Sequence, residues 1–173
     1  PEEAGVSHLQ HRADAPASVG VAVITVSDTR DRDTDKSGQL IQEKLAQGGH
    51  RVVHYAIVTD TARQIKGELA IAVEKAGCQA VLLNGGTGIS PRDNTFEVVD
   101  GMLEKRLPGF GELFRALSYR QIGAAAMMSR ATAGTYRGRI LVCLPGSTAA
   151  VRLAMDELIL PELGHLVGTI APR

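Results

Sequence analysis

Four short strand-like runs, the first continuously apolar and β-branched, each separated from the next by helix-periodic sequence, constrain this chain most. They occupy residues 19–27, 51–58, 79–84 and 139–144, with Ala80-Val81-Leu82-Leu83 at the centre of the third. Strands buried on both faces of a parallel sheet read as such continuous runs. Between the first two, residues 37–47 set Leu40, Ile41 and Leu45 on one helical stripe, with Ser37 as N-cap and Gly48-Gly49 as the stop. Residues 61–76 repeat the pattern with Ile65, Leu69, Ala72, Val73 and Ala76, ended by Gly77. Further helices are expected from Thr95, over about residues 111–121, and over residues 148–167, the last bent at Pro161. This alternation predicts the α/β class: a three-layer α/β/α sandwich on a mostly parallel sheet. The 173 residues suit a single domain, read as residues 19–173 behind a flexible N-terminal tail, residues 1–18.

Charge and composition narrow the partners. Nineteen basic and 19 acidic side chains cancel, so any attraction for an anion must be local. Aromatics are 3% of the chain and Trp is absent, a poor supply for stacking bases, which argues against nucleic acid. No apolar run approaches a membrane span. Cys78 and Cys143 have no metal-ligand spacing and read as reduced core thiols in a cytoplasmic protein. His8-x-x-His11 in the tail reads as solvated surface, and His50, His54 and His165 as surface or core groups.

Ligands of open α/β sheets sit beyond the carboxyl ends of strands, and four loops qualify. The longest is Asn84-Gly85-Gly86-Thr87-Gly88-Ile89-Ser90-Pro91-Arg92-Asp93-Asn94-Thr95. Connections of this kind usually run about 2–6 residues, so this one is long enough to wrap a ligand. Gly85, Gly86 and Gly88 permit positive φ and turn N–H groups toward an anion. Thr87 and Ser90 add hydroxyls, Arg92 a phosphate clamp, and Thr95 an N-cap. Asp93 is useful beside phosphate only with a cation between them, so the loop reads as glycines for phosphate and an Asp for magnesium. Neither GxxxxGK[ST] nor GxGxxG is present.

The other loops are less specific. Asp31-x-Asp33-x-Asp35 has calcium-loop spacing, but Lys36 stands at the turn glycine and Gln42 at the bidentate Glu, which leaves a solvated charged loop. Ser27, Asp28, Ser37 and Gly38 flank it as ligand candidates. Thr59 or Asp60 either caps the next helix or faces the ligand. Pro145-Gly146-Ser147-Thr148 is an anion or ribose cradle, or a plain turn with a capped helix. Ser129 and Arg130 close a small-residue packing run and can offer a cation to phosphate. Carboxylates, hydroxyls, glycines and arginine with no evident nucleophile suit transfer between two bound phosphates.

Gly85-Gly86-Thr87-Gly88, Ser90-Pro91-Arg92-Asp93, Pro108-Gly109-Phe110-Gly111-Glu112 and Leu144-Pro145-Gly146-Ser147, in that order, resemble the MoaB/MogA family of molybdenum-cofactor biosynthesis, MoaB-like by length. The family includes domains of gephyrin and its plant counterpart, and the likeness runs from about residue 19 to about residue 166. It implies molybdopterin binding and, in active relatives, adenylylation of molybdopterin by Mg-ATP with release of pyrophosphate. Asp60 and Asp93 match the family's two important acidic positions, which implies that both serve catalysis and hold Mg2+ with ATP. Ser37, Ser147 and Arg130 are then candidates for gripping the pterin or its phosphate. The resemblance also implies a homotrimer or homohexamer, with the Pro161 region, Phe110 and Phe114 at interfaces, and a molybdenum-insertion enzyme as partner. Phe96 stands where relatives often carry the helix-opening Pro, and Asn94 where Val is frequent; both changes leave the chemistry open. Two rival readings are a non-catalytic molybdopterin-binding or scaffold protein and a generic nucleotide-binding regulator.

Overall fold

Every residue of the first strand, β1 (Gly20–Val26), is buried, and its side chains divide by parity between two cores. Val21 and Val23 join one apolar cluster while Ala22, Ile24 and Val26 join the other, the two-residue period of a strand covered on both faces. The structure, a computed structural model, describes residues 15–171. Strands β2 (Arg51–Val58), β3 (Ala80–Asn84), β4 (Lys105–Arg106), β5 (Thr132–Tyr136) and β6 (Arg139–Leu144) complete one sheet in the order β2-β1-β3-β6-β5-β4. The neighbours from β2 to β6 run parallel and β5 is antiparallel to both β6 and β4.

Helices α1 (Lys36–Gln47), α4 (Pro108–Ile122), α5 (Thr148–Ala154) and α6 (Leu160–Ile170) supply Ile41, Leu45, Phe114, Val151, Leu163 and Val167 to one core. Helices α2 (Ala62–Val73) and α3 (Thr95–Met102) supply Ile65, Leu69, Ala72, Val98 and Val99 to the other. The expected single-domain α/β/α sandwich is therefore present. Cys78 and Cys143 are free and buried, and burial pushes both thiols above their ordinary value. Ala15 and Pro16 pass close to α6: a methyl at Gly164 would sit 2.6 Å from the Pro16 carbonyl oxygen. His8 and His11 lie outside the described residues.

Several local expectations are corrected. Asp35, not Ser37, caps α1, accepting from the Gly38 N–H at 3.0 Å. Helix α3 has no side-chain cap, and the Thr95 hydroxyl is buried without a partner. Helix α4 starts at Pro108 rather than near Gly111, because Pro suits the first turn, where no N–H partner is needed. The last helix does not bend as one rod. It widens into a π turn, Met155–Ile159, where the Leu160 N–H reaches back to the Met155 carbonyl just before Pro161. Phe114 is fully buried and so belongs to the core rather than to a free surface, while Phe110 packs against the same core and stays partly exposed. Exposed apolar side chains in this part of the chain include Leu113, Tyr119, Ile122, Met127 and Met128.

Asp35 itself is not solvated. It is fully buried, and its Oδ2 accepts from Thr25 Oγ1 of β1 at 2.6 Å and from Tyr55 Oη of β2 at 2.7 Å. Arg30 Nη1 stands 3.6 Å from its other oxygen. One carboxylate thus fastens two strands and a helix at the ligand end of the sheet. Replacing it leaves two hydroxyls and an N–H without their acceptor, each a desolvated donor. The Asp35→Ala variant is expected to lose about 3–5 kcal/mol of stability, read as a lower urea midpoint at unchanged slope. A loss below about 1 kcal/mol would show that water takes over all three bonds.

Candidate functional site

The chain leaves β1 for α1 on one face of the sheet and leaves β3 for α3 on the other. Neighbouring strands whose connections diverge in this way open a crevice at their carboxyl ends, the place where such sheets bind ligands. Here the loops after β1, β3 and β6 enclose a pocket of about 420 Å³ lined by Ser27, Thr29, Arg30, Gly85, Gly86, Thr87, Gly88, Asp93, Met128, Ser129, Pro145 and Gly146. Gly85 forms the point where the three loops close on one another. Its N–H donates to the Leu144 carbonyl at 3.1 Å and its φ is +97°. A methyl on Gly85 would overlap the Val26 carbonyl, and one on Gly146 would lie 3.0 Å from Gly85 Cα.

Two carboxylates converge on the next glycines. A methyl at Gly86, whose φ is +66°, would overlap both Asp60 Oδ2 and Thr95 Oγ1. At Gly88 it would come within 2.5 Å of Asp93 Oδ2, though Gly88 has no positive φ. The glycine at position 88 therefore makes room for a carboxylate and does not serve a turn. Asp93 Oδ2 also accepts from the Ser90 N–H at 3.1 Å. The even choice for Asp60 resolves locally: Thr61 caps α2, accepting from the Gln64 N–H at 3.3 Å. Asp60 is left to accept from the Asn94 N–H at 3.0 Å, while its carbonyl takes the Asn94 amide at the same distance. Burial holds the Asp60 carboxyl above the usual carboxylate range, the Asn94 bond opposes that, and the charges of Asp93 and Asp28 push it further up.

The remaining expected residues divide. Ser27 lines the pocket and accepts from the Thr29 and Arg30 N–H groups, and Thr87, Ser129, Pro145 and Gly146 line it too. Ser37 is buried behind it, its hydroxyl donating to the Gly146 carbonyl at 2.7 Å, with Gly38 packed against Asp35. Ser147 caps α5 through the Ala150 N–H at 3.2 Å, and Ser90 accepts from the Arg92 N–H at 3.4 Å. Asp28 accepts from the Asp60 N–H at 3.0 Å and pairs with Arg92; these bonds, the backbone one first, hold its carboxyl below the ordinary value. Arg92 is itself 79% exposed. Arg130 braces the loop from outside: Nε donates to the Thr87 carbonyl at 2.8 Å, Nη2 to the Gly88 carbonyl at 2.5 Å, and Nη1 pairs with Glu97. Its guanidinium lies 4.8 Å from the Phe96 ring centre.

Sequence reasoning passed over Arg30, Asp35 and Asn94. Arg30 lines the pocket and Nη2 donates to the Gly146 carbonyl at 3.1 Å, although it sits in a charged stretch that reads as solvent-facing. The one available signal was Thr25, a hydroxyl inside an apolar strand that needs a buried partner and finds it in Asp35.

Residues 22–165 match the family model described as "Probable molybdopterin binding domain". A molybdenum cofactor biosynthesis protein B from Halalkalibacterium halodurans is 52% identical over 162 residues, covering 93% of this chain and 95% of that protein. A crystal structure of a molybdenum cofactor biosynthesis protein B superposes with a TM-score of 0.87 at 48% identity, over 91% of this chain and 98% of that one. The tungsten cofactor synthesizing protein MoaB from Pyrococcus furiosus gives 0.82 at 38% identity, over 90% and 99%.

The raised Asp60 carboxyl has a signed consequence. Its ionisation is harder in the folded than in the unfolded chain, so stability is full below the ordinary value of 3.8 and is lost as pH rises through the folded value. An amide keeps an acceptor for Asn94 without the charge. Asp60→Asn is expected to raise the melting temperature at pH 7, with the gain shrinking to nothing below about pH 4. A variant less stable than wild type at pH 7 would show that the hydrogen bonds to the carboxylate outweigh its burial.

Proposed function

Because this chain belongs to the MoaB/MogA family of molybdopterin-binding, molybdenum-cofactor biosynthesis proteins, we propose that its pocket adenylylates molybdopterin with Mg-ATP. The observation that carries this reading is the placement of the Asp60 and Asp93 carboxylates over Gly86 and Gly88, where even a methyl would collide with them. Oxygen-only donors suit magnesium, which takes one or two carboxylates and completes its shell with water and substrate phosphate. Among the described residues no group of three or more His, Cys, Asp or Glu gathers, so the rest of the shell falls to the triphosphate. The buried, unpartnered Thr95 hydroxyl beside Asp60 adds a further oxygen at the same place.

Asp93 and Asp60 would hold the magnesium, which when bound neutralises charge on the triphosphate. The glycine loop supplies backbone N–H groups for phosphate oxygens without a side chain in the way. An oxygen of the pterin's terminal phosphate bonds to the α-phosphorus of ATP as the bond to the departing pyrophosphate breaks. The products are adenylyl-molybdopterin and pyrophosphate. Because both reactants bring their own phosphates, the protein's work is alignment and charge balance, and no side-chain nucleophile is required.

We extend the reading to a cytoplasmic homotrimer or homohexamer that passes its product to a molybdenum-insertion enzyme. Among the described residues no helix is long and apolar enough to cross a membrane. Exposed Leu113, Tyr119 and Ile122 on α4 and Met127 and Met128 on the 3-10 segment after it supply apolar side chains for assembly. Sedimentation is expected to return three or six chain masses, and Ile122→Glu with Met127→Glu to lower that number; a wild-type monomer would refute the assembly. A second reading, pterin binding without transfer, draws on the engagement of Arg92 by Asp28 and of Arg130 by loop carbonyls and Glu97.

Incubation with molybdopterin and Mg-ATP is expected to yield pyrophosphate and adenylate in equal amounts, and chelation of magnesium to stop both. Asp93→Asn is expected to lower kcat/KM at least about 100-fold with an unchanged melting temperature. Undiminished turnover in that variant would refute the assignment of the metal to Asp93. Tight pterin binding with no pyrophosphate would leave the binding-only reading.

A further inference from the structure

The pocket needs a cation for a phosphate that carries no magnesium, and the two arginines most visible in the sequence do not line it. Arg92 is exposed and paired with Asp28, and Arg130 spends its guanidinium on Thr87, Gly88 and Glu97. Among the described residues that line the pocket, Arg30 is the one with a positive charge. We propose that Arg30 is the specificity residue for the phosphomonoester of the pterin substrate, an inference that rests on the proposed function and deepens it.

The geometry supports a fixed donor. Arg30 leaves the loop after β1, and its guanidinium reaches past the end of β3 to the Gly146 carbonyl after β6, at 3.1 Å. Its Nη1 stands 3.6 Å from the fully buried Asp35 carboxylate, and the Arg30 side chain keeps 34% of its surface exposed. The Arg30 N–H is held by Ser27 Oγ at 3.1 Å, which fixes the start of the side chain as well as its tip. A guanidinium carries five N–H donors in a rigid fork. Gly146 and Asp35 orient that fork, and the donors they do not take remain for an anion in the pocket. A carbonyl at Gly146 and a carboxylate at Asp35 repel a phosphate by themselves, so the arrangement makes sense only around the cation between them. Asp93, the carboxylate lining the same pocket, is assigned to the metal-bound triphosphate. Arg30 is then matched to the phosphate that arrives without a metal. Bidentate Arg–phosphate recognition is geometric as well as electrostatic, so lysine is an incomplete substitute.

The test compares binding of molybdopterin and of its dephosphorylated form, without ATP or metal, to wild type, Arg30→Ala, Arg30→Gln and Arg30→Lys. Wild type is expected to prefer the phosphorylated pterin. Arg30→Ala and Arg30→Gln are expected to weaken its binding about 10- to 100-fold and to leave the dephosphorylated form within about 2-fold. Arg30→Lys is expected to recover part of the loss. The Gln variant keeps a polar, uncharged side chain with N–H donors on a shorter stem and carries the test if the Ala variant does not fold. Equal weakening of both pterins, or unchanged affinity for the phosphorylated one, would overturn the assignment of Arg30 while leaving the proposed function standing. Failure of wild type to bind molybdopterin at all would overturn both.

Discussion

The buried carboxylate of Asp35 is the interaction on which the ligand end of this fold depends. It accepts from a strand hydroxyl, a tyrosine of the neighbouring strand and a helix N–H, with the Arg30 guanidinium nearby. Through Thr25 the network continues to the Asn84 amide at 2.9 Å, the last residue before the glycine loop. Through Arg30 and Ser37 it reaches the Gly146 carbonyl. A charge without water is tolerated only when its acceptor sites are filled. That condition obliges three loops to keep fixed positions relative to one another. The burial of one charge therefore sets the shape of the pocket, and packing of the two apolar layers sets the platform beneath it.

Most of the platform was legible in the amino-acid order. A strand buried on both faces has to be apolar at consecutive positions, and β1, β3 and β6 each announce themselves in that way. The two strands that were not legible lack this signal for physical reasons. β4 is Lys105-Arg106 alone, an exposed edge with nothing to bury. β5 carries Gly134, where a methyl would overlap the Lys105 carbonyl, so close strand approach replaces apolar patterning. Its hairpin to β6 turns through Arg137 and Gly138, at φ +47° and +69°. Two-residue turns of that kind ordinarily advertise themselves with Asn-Gly or Asp-Gly, and arginine at the first position hides this one.

The site was legible where its chemistry is local and obscure where it depends on distant partners. Three glycines and an acid within a few positions mark a phosphate loop without help from the rest of the chain. Arg30 and Asp35 lie in a run of alternating charges, and only the tertiary fold distinguishes the buried acid and the pocket arginine from solvated Asp31 and Asp33. Arg130 shows the converse. Its place beside a small-residue run gave no hint that loop carbonyls and Glu97, contributed by other elements, would claim its donors.

The π turn before Pro161 sets the rotational phase of the chain's C-terminal helices. Each helical residue advances about 100°, so the wider turn offsets the faces of α5 and α6 by roughly the angle one extra residue gives. That offset lets Val151 and Ala154 on one side, and Leu163 and Val167 on the other, meet the same core. Regular α turns over the same number of residues would swing Leu163 and Val167 away from that core, whereas a chain shortened by one residue between Met155 and Ile159 would close the turn into ordinary α-helix with both still facing it. The irregular turn thus acts as a spacer in angle, and the apolar period on either side of Pro161 is meaningful only when it is counted separately.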